Sequence, residues 1–128
     1  MMCGYGAISN MRVITGIARG RRLVAPEGMD VRPTTDKVKE AIFSAIQFQI
    51  EGADVLDLFA GSGQMGIEAI SRGAKHAVFV DSSNRALRCV HENLRNTGFE
   101  RYSEVISRDS YDYIKLTSQH FDIIILDP

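Results

Sequence analysis

An α/β fold built on an open parallel sheet is what this sequence predicts, and three observations carry the prediction. From residue 54 onward, short apolar stretches of strand length alternate with amphipathic stretches of helix length, the pattern of parallel βαβ units joined by right-handed crossovers. Four apolar stretches deliver a carboxylate at or just beyond their C-terminal ends: Asp57, Asp81, Asp109 and Asp127. Between the first stretch and its helix lies Gly61-Ser62-Gly63. Such a turn, short of side chains, lets backbone N–H groups approach a ligand beside the partial positive charge of a helix start.

Taken in order, residues 1–10 are small, uncharged and aperiodic and are expected to be a disordered leader. Residues 12–17 read as a strand, 18–20 as a turn and 21–24 as a returning strand. Residues 11–33 are thus predicted as an arginine-studded β-hairpin and a connector whose prolines and glycine begin after residue 25. Thr34 or Thr35 caps a helix over 35–48, with Val38, Ala41, Ile42, Ala45 and Ile46 as its apolar face. Strand 54–59, helix 64–72, strand 76–81, helix 83–96, strand 103–107, helix 110–117 and strand 121–126 follow, so that 34–128 is one domain. Helix 83–96 places Ala86, Leu87, Val90 and Leu94 inward and leaves Asn84, Arg88, Glu92 and Arg95 for water. Strand 121–126 is the most hydrophobic of the set, a composition suited to the inside of a sheet.

The totals are those of an ordinary soluble domain: 128 residues, 45% apolar, formal net charge −1. The charge is unevenly spread. Residues 1–25 hold Arg12, Arg19, Arg21 and Arg22 and no acid, while the rest carries 11 basic and 16 acidic groups, so an anionic partner meets the N-terminal end first. Two readings of the hairpin follow, a solvated edge whose arginines discourage aggregation or an arm that contacts phosphates. Two cysteines are too few for a disulfide framework, and no signal segment or apolar span is present in the sequence; a cytoplasmic location and no membrane partner are expected. His and Cys residues are not clustered as zinc ligands are, and no metal is expected.

In an open parallel sheet, ligands bind beyond the strand C-termini where strand order reverses. The rim offered there is Asp57 with Phe59, Ala60, Gly61, Ser62 and Gly63, then Asp81-Ser82, Asp109-Ser110 and Asp127-Pro128. Gly61-x-Gly63-x-x-Gly66 also satisfies a dinucleotide fingerprint, and Asp81 stands where an acid accepts from ribose hydroxyls in either class of cofactor. Asp57 tips the balance. An acid ahead of the glycines repels a pyrophosphate but suits a cationic amino or sulfonium group, which makes S-adenosylmethionine the expected ligand. Asp109 then accepts from an adenine amino group, with Ser110 capping the next helix or assisting. Each strand-end aspartate also has an ordinary use as a helix cap.

At this point the sequence resembles a known family. Asp57-Leu58-Phe59-Ala60-Gly61-Ser62-Gly63, with Arg32-Pro33-Thr34-Thr35-Asp36-Lys37 ahead of it and the segment around Arg12, Arg19 and Arg21 before that, is similar to the bacterial 16S ribosomal RNA guanine-N2 methyltransferases, over residues 11–128. The resemblance implies a Rossmann-like class I methyltransferase fold, of which this chain carries the N-terminal hairpin and the first four strands. It implies S-adenosylmethionine held by residues 60–63, Asp81 and Asp109, with Arg32 and Thr34 closing the pocket, and a catalytic motif begun by Asp127 and Pro128. The family's second proline and aromatic residue do not follow, so a chain truncated at the catalytic motif, with weak methylation, is expected.

The function expected is methyl transfer to the exocyclic N2 of a guanine in small-subunit ribosomal RNA, with that RNA or the assembling subunit as partner and Arg12, Arg19, Arg21 and Arg22 as RNA contacts. Two other classes stay open from the residues alone: a noncatalytic RNA-binding fragment and a nicotinamide-dinucleotide-binding oxidoreductase domain. Strand 121–126, as an exposed edge, is expected to support self-association.

Overall fold

The computed structural model describes residues 11–26 and 35–127. The leader at 1–10, most of the connector, Arg32, Thr34 and Pro128 lie outside the described residues. Four strands, β1 (Asp54–Leu58), β2 (His76–Asp81), β3 (Ser103–Ser107) and β4 (Ile123–Leu126), form one sheet in the order β3-β2-β1-β4. All pairings are parallel, with Asp57 level with Phe79 on one side and Ile125 on the other. Strand order reverses between β1 and β4, so the crevice for a ligand lies above the end of β1.

The alternation of side chains sorts the sheet into two faces. Val55, Ala77, Phe79 and Ile123 join the cluster made by Met65 and Ile67 of α3 (Gln64–Ser71) and Val90 and Leu94 of α4 (Asn84–Thr97). Leu56, Leu58, Val78 and Val80 join Tyr113 of α5 (Ser110–Leu116) on the other face. The crossovers α3 and α4 step from β1 outward to β3, and α5 returns across the sheet to β4, which is why it takes the opposite face. Boundaries of β2, β3, α4 and α5 agree with the sequence reading to within a residue or two. Strand β4 begins at Ile123 rather than residue 121, and a short 3-10 turn at Glu100–Tyr102 was not anticipated.

Two elements differ from expectation. The predicted helix 35–48 is two: α1 (Asp36–Ala45), capped by the Thr35 hydroxyl on the Val38 N–H, and α2 (Gln47–Ile50), with the break at Ile46. Its buried side is Lys39, Phe43 and Ile50, whereas Val38 and Ile42 are 48% and 40% exposed. The rotation has a cause. Lys39 is fully buried because its ammonium donates to the Arg12 carbonyl at 2.8 Å and lies 3.8 Å from Glu68, and Phe43 lies under the Arg72 guanidinium, 4.8 Å from ring centre to charge. Burial lowers the Lys39 pKa, against the opposing pull of Glu68 and Asp36.

The N-terminal hairpin is a loop with a short ladder rather than two strands. Among the described residues only Arg12 and Arg22 form a bridge here, flanked by Val13 N–H to Arg21 carbonyl at 2.9 Å and Leu23 N–H to Met11 carbonyl at 3.0 Å. Further along, the donors go elsewhere. The Ile14 and Thr15 N–H groups donate to the two carboxylate oxygens of Glu68, each at 3.0 Å, and Ile17 and Ala18 donate to the carbonyl and hydroxyl of Ser71. Gly16 lies so close to α3 that a Cβ there would sit 1.8 Å from the Ser71 carbonyl oxygen. The arm is therefore docked backbone to backbone on the end of α3, with Met11, Val13, Ala18 and Leu23 buried beneath it.

Glu68→Ala strips acceptors from two arm amides and leaves the Lys39 ammonium buried without its carboxylate. A loss of about 3–5 kcal/mol in denaturant-induced unfolding is expected, with faster amide exchange at Ile14 and Thr15. Unchanged stability would show that the carboxylate does not hold the arm.

Candidate cofactor cleft and arginine arm

The crevice above β1 is shaped by a backbone that turns sharply at Phe59. This residue has a positive φ of 55°, a conformation a bulky side chain adopts only when surroundings impose it. Here they do. The Ser110 hydroxyl accepts from the Phe59 N–H at 3.1 Å, the next amide, Ala60, donates to the Val80 carbonyl at 3.0 Å, and the Phe59 ring meets Tyr111 edge-on at 5.3 Å. The chain then closes through Gly63 N–H to the Ala60 carbonyl at 2.8 Å and enters α3, whose N-cap Gly63 offers no side-chain acceptor to the first helical amides.

Two carboxylates brace this turn from below. One oxygen of Asp57 accepts the Gly66 N–H at 3.0 Å. A Cβ on Gly66 would fall 2.4 Å from the Phe79 ring, so a glycine is required for α3 to lie this close to β2. Asp81 uses both oxygens, taking the Gly61 N–H at 2.9 Å and the Ser83 N–H at 2.8 Å. A carboxylate has about four lone-pair directions, so Asp81 still has acceptor capacity for a ligand hydroxyl. Above Gly61 the space is open, the nearest atom to a hypothetical Cβ being the Phe59 carbonyl oxygen at 4.0 Å. The turn thus offers a ligand room on one side while its other side is tied down, which is the fit a nucleoside-type cofactor needs.

The other residues expected at the site divide by exposure. Asp109 caps α5 by accepting the Asp112 N–H at 3.0 Å and is exposed on the rim, as are Ser82 and Asp127. Ser110 is 3% exposed, and its hydroxyl faces the Phe59 amide and, at 3.5 Å, the Val80 carbonyl. It positions the turn rather than opening to a ligand. Ser62 is buried as well, its carbonyl accepting from Asn93. Three contributors escaped the sequence reading. Tyr111 packs on Phe59; Gln64, at the start of α3, has a buried Oε1 with no hydrogen-bond partner; and Asn93 is wholly buried. Asn93 carried a signal, since a polar residue seven after Ala86 and three after Val90 falls on the apolar side of its helix.

The four arginines of the arm do not act alike. Arg12 pairs with Asp36 at 3.2 Å in an exposed position, where such a pair is worth little. Arg21 donates to the Asn96 carbonyl at 3.1 Å in the last turn of α4, where a cation is favoured. Arg19 lines a groove of about 600 Å³ between the arm and the start of α1, together with Arg12, Lys37, Asp36 and Glu40. With Asp36 paired to Arg12 and Glu40 lying 4.0 Å from Arg72, the groove's remaining charge is that of Arg19 and Lys37. Among the described residues no helix is long and apolar enough to cross a membrane.

Asp57 is the most perturbed acid of the rim. Burial lifts its carboxyl to about 8, against the lowering effect of the Gly66 N–H and with smaller raising effects from Asp127 and Asp81. The folded chain therefore holds a proton that the unfolded chain has released, and ligand-free stability falls as pH rises from the ordinary 3.8 toward about 8. Asp57→Asn, which keeps an acceptor for Gly66, is expected to flatten that slope by about one proton in stability measured against pH. A variant with the wild-type slope would show that another group carries it.

A family model described as "Conserved hypothetical protein 95" matches residues 11–128. The Bacillus subtilis protein named "Putative rRNA methyltransferase YlbH" is 44% identical over 121 residues, covering 92% of this chain and 66% of its own length. Ribosomal RNA small subunit methyltransferase D of Haemophilus influenzae is 37% identical over 125 residues, covering 95% and 65%. The chain thus spans a little under two thirds of these relatives. Among solved structures, the Escherichia coli protein described as "Putative methyltransferase yhhF" superposes with a TM-score of 0.82 at 31% identity, over 92% of this chain and 63% of that one. A SAM-dependent methyltransferase from Agrobacterium tumefaciens shares the fold with a TM-score of 0.61 at 28% identity, over 70% and 30%. The Rossmann-like methyltransferase architecture expected from the sequence is thereby established, and nothing in these likenesses favours the nicotinamide-dependent or noncatalytic readings.

Proposed function

The chain belongs to the family described as Conserved hypothetical protein 95, and from that premise we propose that it is the cofactor-binding part of an S-adenosylmethionine-dependent methyltransferase acting on small-subunit ribosomal RNA, at the exocyclic N2 of a guanine. The observation that carries the proposal is the open glycine turn at the strand-order reversal, with Asp81 bracing Gly61 and Asp57 lying buried beneath it. S-adenosylmethionine supplies an electrophilic methyl on a sulfonium. The backbone of Ala60, Gly61, Ser62 and Gly63 would cradle the methionine and sugar, Asp81 would accept from the ribose, and Asp109 would accept from the adenine amine. Asp57, protonated and buried in the ligand-free chain, would become a counter-charge only by releasing that proton as the cationic end of the ligand docks. Arg32 and Thr34 are assigned to closing the pocket on the family resemblance alone.

The N2 lone pair of guanine is delocalised into the ring, and its nucleophilicity depends on how the amine is held. Asp127 and the Pro128 carbonyl would accept the N2 hydrogens and aim the lone pair at the methyl carbon; as the N–C bond formed, the C–S bond would break, S-adenosylhomocysteine would leave, and one N2 proton would pass to Asp127 or water, so positioning and electrostatics would supply the catalysis. The base leaves its stack to reach this rim. RNA approaches along the groove beside the arm, where Arg19 and Lys37 meet phosphates; Arg12 lines it too but is paired with Asp36, Arg22 lies across the bridge from Arg12, and Arg21, tied to α4, contributes least. Cytoplasmic ribosomal RNA or the assembling subunit is the partner. The edge of β4, where Ile124 and Leu126 are 51% and 60% exposed, supports self-association. Ile124→Lys is then expected to lower the weight-average mass measured by sedimentation at high concentration, and a wild-type chain monomeric throughout would count against the edge.

Calorimetry tests the cofactor assignment directly. Wild-type chain is expected to bind S-adenosylmethionine, and Gly66→Ala to bind at least about tenfold more weakly, because relief of the contact with Phe79 moves the turn. A folded wild-type chain that ignores millimolar ligand would sink the reading. For RNA, Arg19→Ala with Lys37→Ala is expected to weaken binding to a small-subunit RNA fragment and to lower the salt slope by about two.

A further inference from the structure

The arm and the glycine turn are not separate devices, because one buried carboxamide is bonded to both. Asn93, fully buried on α4, accepts the Val24 N–H on Oδ1 at 2.8 Å. Its Nδ2 donates to the Val24 carbonyl at 3.0 Å and to the Ser62 carbonyl at 2.9 Å. Both hydrogens of the amide nitrogen are spent, one on the returning side of the arm and one on the centre of the glycine turn. The outgoing side reaches the same residue, since the Ser62 hydroxyl lies 3.7 Å from the Met11 sulfur, and Met11 is joined to the returning side by the Leu23 N–H at 3.0 Å. Ser62 therefore touches both sides of the arm, while its neighbour Gly61 is held by Asp81.

We propose that Asn93 is a positioning residue that couples the arm to the cofactor turn, so that ordering one orders the other. The physical reason is geometric. A planar carboxamide with three bonds in a dry site cannot follow a displaced Val24 without breaking its bond to Ser62, and a buried amide left unpaired is costly. A ligand that stiffens the turn then stiffens the arm through Asn93, and an RNA that stiffens the arm improves the turn for its ligand. This rests on the cofactor reading above and adds to it that the methyl donor and the nucleic acid bind cooperatively.

Amide hydrogen exchange on the whole chain, with and without S-adenosylhomocysteine, separates the possibilities. The product should slow exchange at Gly61 and Gly63 and also, by about tenfold, at Leu23 and Val24; in Asn93→Ala the turn should still respond and the arm should not. Protection confined to the turn in the wild type overturns the coupling, and arm protection that survives in Asn93→Ala overturns the role of Asn93. Protection of neither segment removes the cofactor reading and this inference with it. Asn93→Ser, which restores one short polar group, serves in the same comparison if Asn93→Ala does not fold.

Discussion

The Glu68 carboxylate is the contact on which the arrangement of this chain most depends. It lies at the bottom of α3, out of reach of water, and gathers two arm amides, the Lys39 ammonium and the Arg72 guanidinium at 2.9 Å. Burying a charge is unfavourable unless nearly every lone pair is used, and here the partners come from the arm, α1 and the end of α3. Arm, α1 and α3 share one charge network. Its removal would leave several polar groups stranded at once, and the arm that carries Arg12, Arg19, Arg21 and Arg22 would lose its anchor at Ile14 and Thr15.

The cleft is built on the same principle with the roles changed. At Phe59 a strained backbone is held by Ser110, Val80 and Tyr111, and at Gly66 a helix is drawn against β2 by the Asp57 oxygen. Strain and desolvation are stored beneath the turn, and the side facing the ligand is left bare. A rigid support under an open surface is what a preorganised cofactor site requires. Because the support includes residues from β1, β2, α3, α4 and α5, the site is a property of the whole sheet rather than of the glycine motif.

Much of this was legible in the sequence, and the illegible part has a common physical character. Period and punctuation located β1 to β4, α3, α4 and α5, and the strand-end aspartates were read in place, because strand and helix spacing are local signals. The orientation of α1 was not. Counting apolar residues favours Val38, Ala41 and Ile42, yet the helix turns toward Lys39 and Phe43 because the partners of Lys39 sit on the arm and on α3. For the same reason residues 12–17, with good strand composition, do not extend as a strand. Their donors are captured by Glu68 and Ser71, more than fifty positions away. Ser110 was read as a ligand or cap because its type and place permit either, and only the packed structure shows its hydroxyl turned to Phe59.

The strand order itself has a consequence for how the chain assembles. Strands β1, β2 and β3 are neighbours in sequence and in space, so each pairs with a partner one helix away, whereas β4 must return past all of them to pair with β1. Closing that long loop carries the largest entropic penalty in the sheet, growing as about (3/2)RT ln n, and non-local parallel pairing is slow. The crevice between β1 and β4 thus rests on the strand pairing with the longest loop to close. Asp127 follows β4 directly, so its place on the rim depends on that single long-range pairing, whereas Asp57 and Asp81 are set by pairings one helix apart.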